Sequence, residues 1–247
     1  MSKTKPKLFV FTISHFCEKA RWALDAMQIE YELRVIAPGA HIKAAKKLGL
    51  ERGSTPFLDT SEGVVQGSGA IIDWAEAHAN SSALTNAVNT TEISDIESRL
   101  DQTLGVHMRR WYYSEAIIEH PKLVKPIFLQ DISMWEKFMF SLAWPTIQKL
   151  MIKHMDLGAE HGAESFNIVK QELAWLETLL EDKPYLLGEN FSRADITAAA
   201  LIAPMIKPDS HPCSQYIQHP PLITQQCLEL ENNRVCQWVK KMYAQHR

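Results

Sequence analysis

The feature that most restricts the fold is a change of rhythm along the chain. Short apolar runs alternate with helical patterns over the first 80 residues, and after Asn89 only helical patterns remain. Strands joined by crossover helices produce the first rhythm, and helices packed on helices produce the second. Lys7 to Ile13 reads as a strand, and Phe16 to Met27 as a helix with Ala20, Ala23, Leu24 and Met27 on one face and Glu18, Lys19 and Asp25 off it. Glu30 to Ile36 is a second strand. A basic stretch from His41 to Arg52, holding a short helix, leads to a strand from Thr55 to Asp59. Glu62 and Gly63 then turn the chain into Val64 to Gln66, and Ser68 to Ala79 returns to helix with Ile71, Ile72 and Trp74 as packing residues.

Asn80 to Asn89 is rich in Asn, Ser, Thr and Ala without apolar periodicity, which predicts a linker. The expected division is a mixed α/β domain over 1–80, a linker over 81–89 and an all-helical domain over 90–247. Ile93 to Ile118, Ile132 to Met155 and Glu164 to Leu180 carry the long amphipathic patterns. Pro145 predicts a kink or restart inside the second, since it lacks the N–H and clashes with the preceding turn. Trp111, Tyr112, Tyr113, Trp135, Phe138, Phe140 and Trp144 are expected in the core, some of them beside an apolar pocket. His107, Arg109 and Arg110 are candidates for a polar rim or a solvated face.

Several classes of function are excluded or made secondary by charge and cysteine usage. Lys and Arg total 26 against 29 Asp and Glu, so a formal charge of -3 sets up no field for nucleic acid or an anionic membrane. The apolar run Leu8 to Ile13 is too short for a signal peptide, and charges interrupt the apolar stretch from Leu123 to Met151, so no membrane span is expected. Cys17, Cys213, Cys227 and Cys236 contain no CxxC pair, which fits a reducing, cytoplasmic setting. His211, Cys213, His219 and Cys227 are metal-ligand types, but their spacing is looser than that of zinc sites and four prolines mark the region as an irregular connection, so no metal is expected.

Three local features carry chemistry. At the first strand-to-helix junction, Ser14-His15-Phe16-Cys17 sets a hydroxyl and a thiol over a helix N-terminus, where free N–H groups and the dipole favour a thiolate. Ser14 equally suits a plain helix cap. Thr55-Pro56 precedes a strand; a cis bond there would offer the Thr55 main chain to an extended ligand, whereas a trans bond would be an ordinary strand start. Gln66-Gly67-Ser68-Gly69-Ala70-Ile71 opens a helix with N–H groups and a hydroxyl suited to a carboxylate.

In this order the three features resemble the cytosolic glutathione transferase superfamily, with serine at the active-site position. Ser14 to Leu24 looks like its active-site segment, Thr55-Pro56 like its cis-proline step, and Ser68, Ala70 and Ile71 match its Glu-Ser-x-Ala-Ile box. Ser192-Arg193-Ala194-Asp195 is similar to the capping box that begins the buried helix of its second domain. The resemblance implies a thioredoxin-like N-terminal domain followed by a C-terminal helical bundle. It further implies an enzyme that uses glutathione as co-substrate against a small hydrophobic electrophile, acting in the cytoplasm as a homodimer. Ser14 or Cys17 would carry the chemistry, and Phe16, Thr55, Pro56, Gln66, Gly67 and Ser68 would bind glutathione. Gly67 departs from the family's acidic residue, and Ser14-His15 from the Cys-Pro of its thiol-dependent members. Two alternatives therefore stand beside conjugation: a non-catalytic binding or regulatory module, and a Cys17-dependent thiol-disulfide oxidoreductase.

Overall fold

The computed structural model describes residues 5–79, Leu84 and 90–247, so the expected linker lies outside the described residues except for Leu84. Strands β1 (Lys7–Val10), β2 (Glu32–Val35), β3 (Phe57–Thr60) and β4 (Gly63–Gln66) form one sheet in the order β2-β1-β3-β4. β2 runs parallel to β1, β3 runs antiparallel to β1, and β4 runs antiparallel to β3. Helices α1 (His15–Ala26), α2 (Ala40–Lys47) and α3 (Ser68–His78) complete the thioredoxin-like domain. The register fixes where its loops go. Phe57 pairs with both Phe9 and Gln66, so the C-terminal end of β1, the start of β3 and the end of β4 share one end of the sheet. Ser14, Thr55-Pro56 and Ser68 all follow or precede strands at that end. β1 stops three residues before the expected Ile13 because the chain turns there, with Ser14 N–H donating to the Phe11 carbonyl at 3.1 Å.

The helical domain begins with α4 (Thr90–Arg99), a π-helical turn at Leu100–Leu104 and α5 (Gly105–Ala116), which together occupy the single long helix expected there. The short α6 (Pro121–Val124) precedes α7 (Met134–Met155), α8 (Ala159–Leu180) and α9 (Arg193–Ile206); α10 (Pro221–Glu229) and α11 (Arg234–His246) complete the bundle. α9 is buried along almost its whole length and packs on both α1 and α11, which makes it the spine of the molecule. Its capping box is formed: the Asp195 carboxylate accepts from the N–H and hydroxyl of Ser192 and from the Leu186 N–H, at 2.7–2.8 Å. No helix among the described residues is long and apolar enough to cross a membrane.

Three expectations need correction. α7 runs without interruption through Pro145, so the missing N–H removes one rung of the ladder without ending the helix. Trp135 and Phe138 are 69% and 60% exposed, because the face of α7 that bears them has no described element packed on it. Glu18 and Lys19, read as the outer face of α1, are buried. α1 is sandwiched between α3 and α9, so its polar face meets another domain instead of water.

Candidate active site

Ser14 sits at the N-cap of α1, and its hydroxyl oxygen accepts from the Cys17 N–H at 3.3 Å. A hydroxyl has two lone pairs and one proton, so capping leaves its O–H free to donate. The structural and chemical readings of Ser14 are thus compatible. Beside it, His15 is drawn into the helical domain, its Nε2 lying 2.9 Å from the Gly105 carbonyl. Only glycine fits that crossing of α1 and α5, since a Cβ on residue 105 would lie 2.6 Å from the Phe16 ring. Burial, reinforced by the charge of Arg109 and partly offset by the Gly105 contact, lowers the His15 pKa to about 3. His15 is therefore a neutral imidazole that donates from Nε2.

A cavity of about 370 Å³ opens between the domains at this point. The thioredoxin-like side contributes Phe11, Ser14, His15, Phe16, His41, Ile42, Ser54 and Thr55; the helical side contributes Arg109, Tyr113, Phe128, Ile147, Met151 and His154 among others. Of the rim candidates, only Arg109 faces it. Arg110 pairs with Asp156 and Glu164, and His107 bonds Ser165. Arg109 and Tyr113 lie one turn apart on the helical face that begins at Gly105, whereas 107 and 110 point elsewhere. That crossing, invisible in the sequence, selects one of three basic residues. His15 also lines the cavity, and its adjacency to Ser14 is the signal in the sequence that points to it.

The Thr55-Pro56 peptide bond is cis. Gly67 donates its N–H to the Pro56 carbonyl at 2.9 Å, which ties the start of α3 to the proline step. Gln66 donates its amide N–H groups to the Arg52 and Ser54 carbonyls, both at 2.8 Å, so its Oε1 is the polar atom left over. Gly67 has a φ of 99°, where a side chain would be strained, and provides α3 with no side-chain cap. Ser68 is buried at the head of α3. Gln66, Gly67 and Ser68 do not line the apolar cavity; they stand at the same end of the sheet, beside it.

Cys17 is 1% exposed and lies behind the cleft. Burial raises its thiol pKa, an effect partly offset by the neighbouring Ser14, Phe11 backbone and Thr55. The four His and Cys residues of the proline-rich connection separate into two contacts, His211 with Cys213 and His219 with Cys227. Among the described residues, no group of three or more His, Cys, Asp or Glu is placed to hold a metal ion.

Two family models match the sequence: the glutathione S-transferase N-terminal domain over residues 8–83 and the glutathione S-transferase C-terminal domain over residues 142–222. No curated protein matches it. Among solved structures, a glutathione transferase from Phanerochaete chrysosporium superposes with a TM-score of 0.67 at 13% identity, over 100% of this chain and 98% of that one. The beta-etherase LigF of Sphingobium sp. strain SYK-6 superposes with a TM-score of 0.61 at 22% identity, over 98% and 99% of the two chains. A glutathione S-transferase from Methylobacillus flagellatus, solved with glutathione bound, gives 0.58 at 14% identity over 95% and 98%.

Proposed function

Because the chain belongs to the glutathione transferase superfamily, both of whose domains it matches, we propose that it is a transferase that directs the thiolate of glutathione at a small, largely apolar electrophile. The observation that carries this reading is the juxtaposition of Ser14, with an O–H free to donate, and an apolar cavity between the domains. In this reading glutathione lies along the end of the sheet as an added strand, pairing with the Thr55 main chain. Its γ-glutamyl carboxylate meets the uncapped N-terminus of α3 at Gly67 and Ser68, and its amino group meets Gln66 Oε1, which replaces the acidic residue absent at position 67. Ser14 donates to the thiolate, and Phe16 borders the same cleft.

A hydrogen bond to the charged form favours that form, so Ser14 lowers the thiol's pKa and raises the fraction of nucleophile near neutral pH. The cavity holds the electrophile beside it, supplying proximity with little water. The non-catalytic alternative draws on Gly67, and the burial of Cys17 speaks against the redox alternative.

Titration with glutathione tests the reading first, and absence of binding removes it. With binding established, Ser14→Ala is expected to slow conjugation about 10- to 100-fold near pH 6.5, the loss of one hydrogen bond to a charged group. The apparent pKa of the rate should rise while the Kd for glutathione changes by less than about 3-fold. Full activity in Ser14→Ala would defeat the assignment.

A further inference from the structure

We propose that Arg109 is an anion anchor in the cleft, so that the second substrate is an apolar electrophile bearing one carboxylate. The inference rests on the transferase reading for its reaction, but its physical basis is the environment of one side chain. Arg109 lines the same cavity as Ser14, and among the described residues no carboxylate pairs with it and no acceptor meets its buried Nε. Three other withdrawn arginines in this molecule are given carboxylate partners, whereas Arg21, outside the cavity, shares with Arg109 a buried Nε without an acceptor. Arg193, with its side chain 11% exposed, pairs with Asp73, Glu76 and Glu97; Arg247, also 11% exposed, pairs with Glu18 and Asp25; Arg110, at 19%, pairs with Asp156 and Glu164. A guanidinium held away from bulk water without a counter-charge is costly, and a fold that balances those three has left this one to something outside the chain.

The walls sharpen the class of ligand. Phe11, Phe16, Phe128, Ile147 and Met151 make the cavity apolar, and none of its described lining residues is Asp or Glu. His15, kept neutral by burial, adds no second charge beside Arg109. Arg109 is the one Arg or Lys among the cavity's described lining residues, and a single guanidinium in an apolar cavity selects one anionic group on an apolar body. The planar fork of the guanidinium matches the two oxygens of a carboxylate, and the surrounding low dielectric strengthens the pairing. Tyr113, one turn along α5, lines the same cavity.

The test uses a matched pair, 4-chloro-3,5-dinitrobenzoate and its methyl ester. With each, the glutathione sulfur forms a bond to the ring carbon bearing chlorine, the C–Cl bond breaks with its electron pair leaving as chloride, and the thiol proton passes to water. The ratio of kcat/KM for the carboxylate to that for the ester is expected to fall about 10- to 100-fold in Arg109→Leu. Arg109→Lys, which keeps the charge and loses the fork, should lose about 3- to 10-fold in the same ratio. Thermal melting verifies that each variant folds, and Arg109→Lys carries the test if Arg109→Leu does not. An unchanged ratio overturns the proposal. A matching rise in the Kd for glutathione also overturns it, because the anchored carboxylate would then belong to glutathione. Binding of unreactive 3,5-dinitrobenzoate against 1,3-dinitrobenzene, measured without glutathione, separates the two readings. An Arg109-dependent preference for the benzoate in a protein that does not bind glutathione would keep the anchor and remove the transferase; glutathione binding without that preference would do the reverse.

Discussion

Lys19 and Arg109 are both cations withdrawn from water where the two domains meet, yet one is surrounded by carboxylates and the other by aromatic rings. The Lys19 side chain is 0% exposed, with Nζ 2.9 Å from Glu97 and 2.8–2.9 Å from both Asp101 oxygens. Glu97 is shared with Arg193, which also reaches Asp73 and Glu76 on α3. This network joins α1 and α3 to α4, α9 and the π-helical turn that carries Asp101, so charge balance and domain docking are one feature. Arg109 lines a mostly apolar cavity whose described lining residues include no Asp or Glu. A buried charge whose partners belong to the chain belongs to the fold; a half-buried charge without them is available to a ligand.

The sharpest way to break this contrast is to remove each cation and measure stability alone. Lys19→Met leaves Asp101 without its cation and Glu97 with Arg193 alone, and removing one partner of a buried pair typically costs about 3–5 kcal/mol. Arg109→Met strands nothing, so its cost should stay below about 1 kcal/mol, and it can stabilise the fold by removing an uncompensated charge. Urea unfolding midpoints at unchanged slope give both numbers. Equal losses would mean that Arg109 has a structural partner and that the contrast is false.

The same contrast shows how much the sequence disclosed. Element order and the capping box at Ser192 were legible because each depends on a few neighbouring residues, whereas those residues left the bond before Pro56 open and the cis form followed from the family resemblance. The burial of Lys19 was not, because helical periodicity assumes one apolar side, and α1 has helices on both. The role of Lys19 depends on Asp101, which lies 82 positions away. Selection of Arg109 over His107 and Arg110 depended on where α5 crosses α1, fixed by a glycine whose closeness to Phe16 no local pattern announces. Ser14, Phe16 and Thr55 reach the cavity, and Gln66, Gly67 and Ser68 reach the adjoining end of the sheet, because strand order carries them there. The half of the cleft contributed by α5 and α7 left no motif, since apolar helical residues look alike whether they face a core or a ligand.

A smaller effect sharpens the comparison with a buried carboxylate that has no cation paired with it among the described residues. Asp195 is held by N–H and O–H donors from Leu186 and Ser192, and burial raises its pKa from 3.8 to about 6 against that donor set. Losing the cap in Asp195→Ala should cost about 0.5–2 kcal/mol. Because the folded pKa lies above the unfolded one, the native state binds the proton more tightly, and the stability Asp195 contributes falls as pH rises from about 4 through 6. The difference between wild type and Asp195→Ala should therefore be larger at pH 5 than at pH 8, by about 1 kcal/mol. A difference that grows toward pH 8 would mean that the backbone donors outweigh burial and that the carboxylate is ionised in the fold throughout.

The smallest effect is expected at Cys17, which lies on the boundary between fold and cleft. Two residues that line the cavity, Ser14 and Thr55, act to lower its thiol pKa, yet burial outweighs them and Cys17 is 1% exposed. Reactivity at sulfur requires both thiolate and access, and burial withholds both. Cys17→Ala should change conjugation by less than about 3-fold and stability by about 1 kcal/mol, as for the loss of a small packed group. Iodoacetamide at pH 8 should leave Cys17 unmodified in the native protein and label it once urea unfolds the chain, as read by peptide mass. If Cys17 were instead labelled rapidly in the native state, and if Cys17→Ala abolished glutathione-dependent disulfide exchange that Ser14→Ala retained, the thiol would belong to the ligand's side of the boundary. Ser14 would then be only the cap of the helix that presents it, because only a thiolate can carry a mixed disulfide.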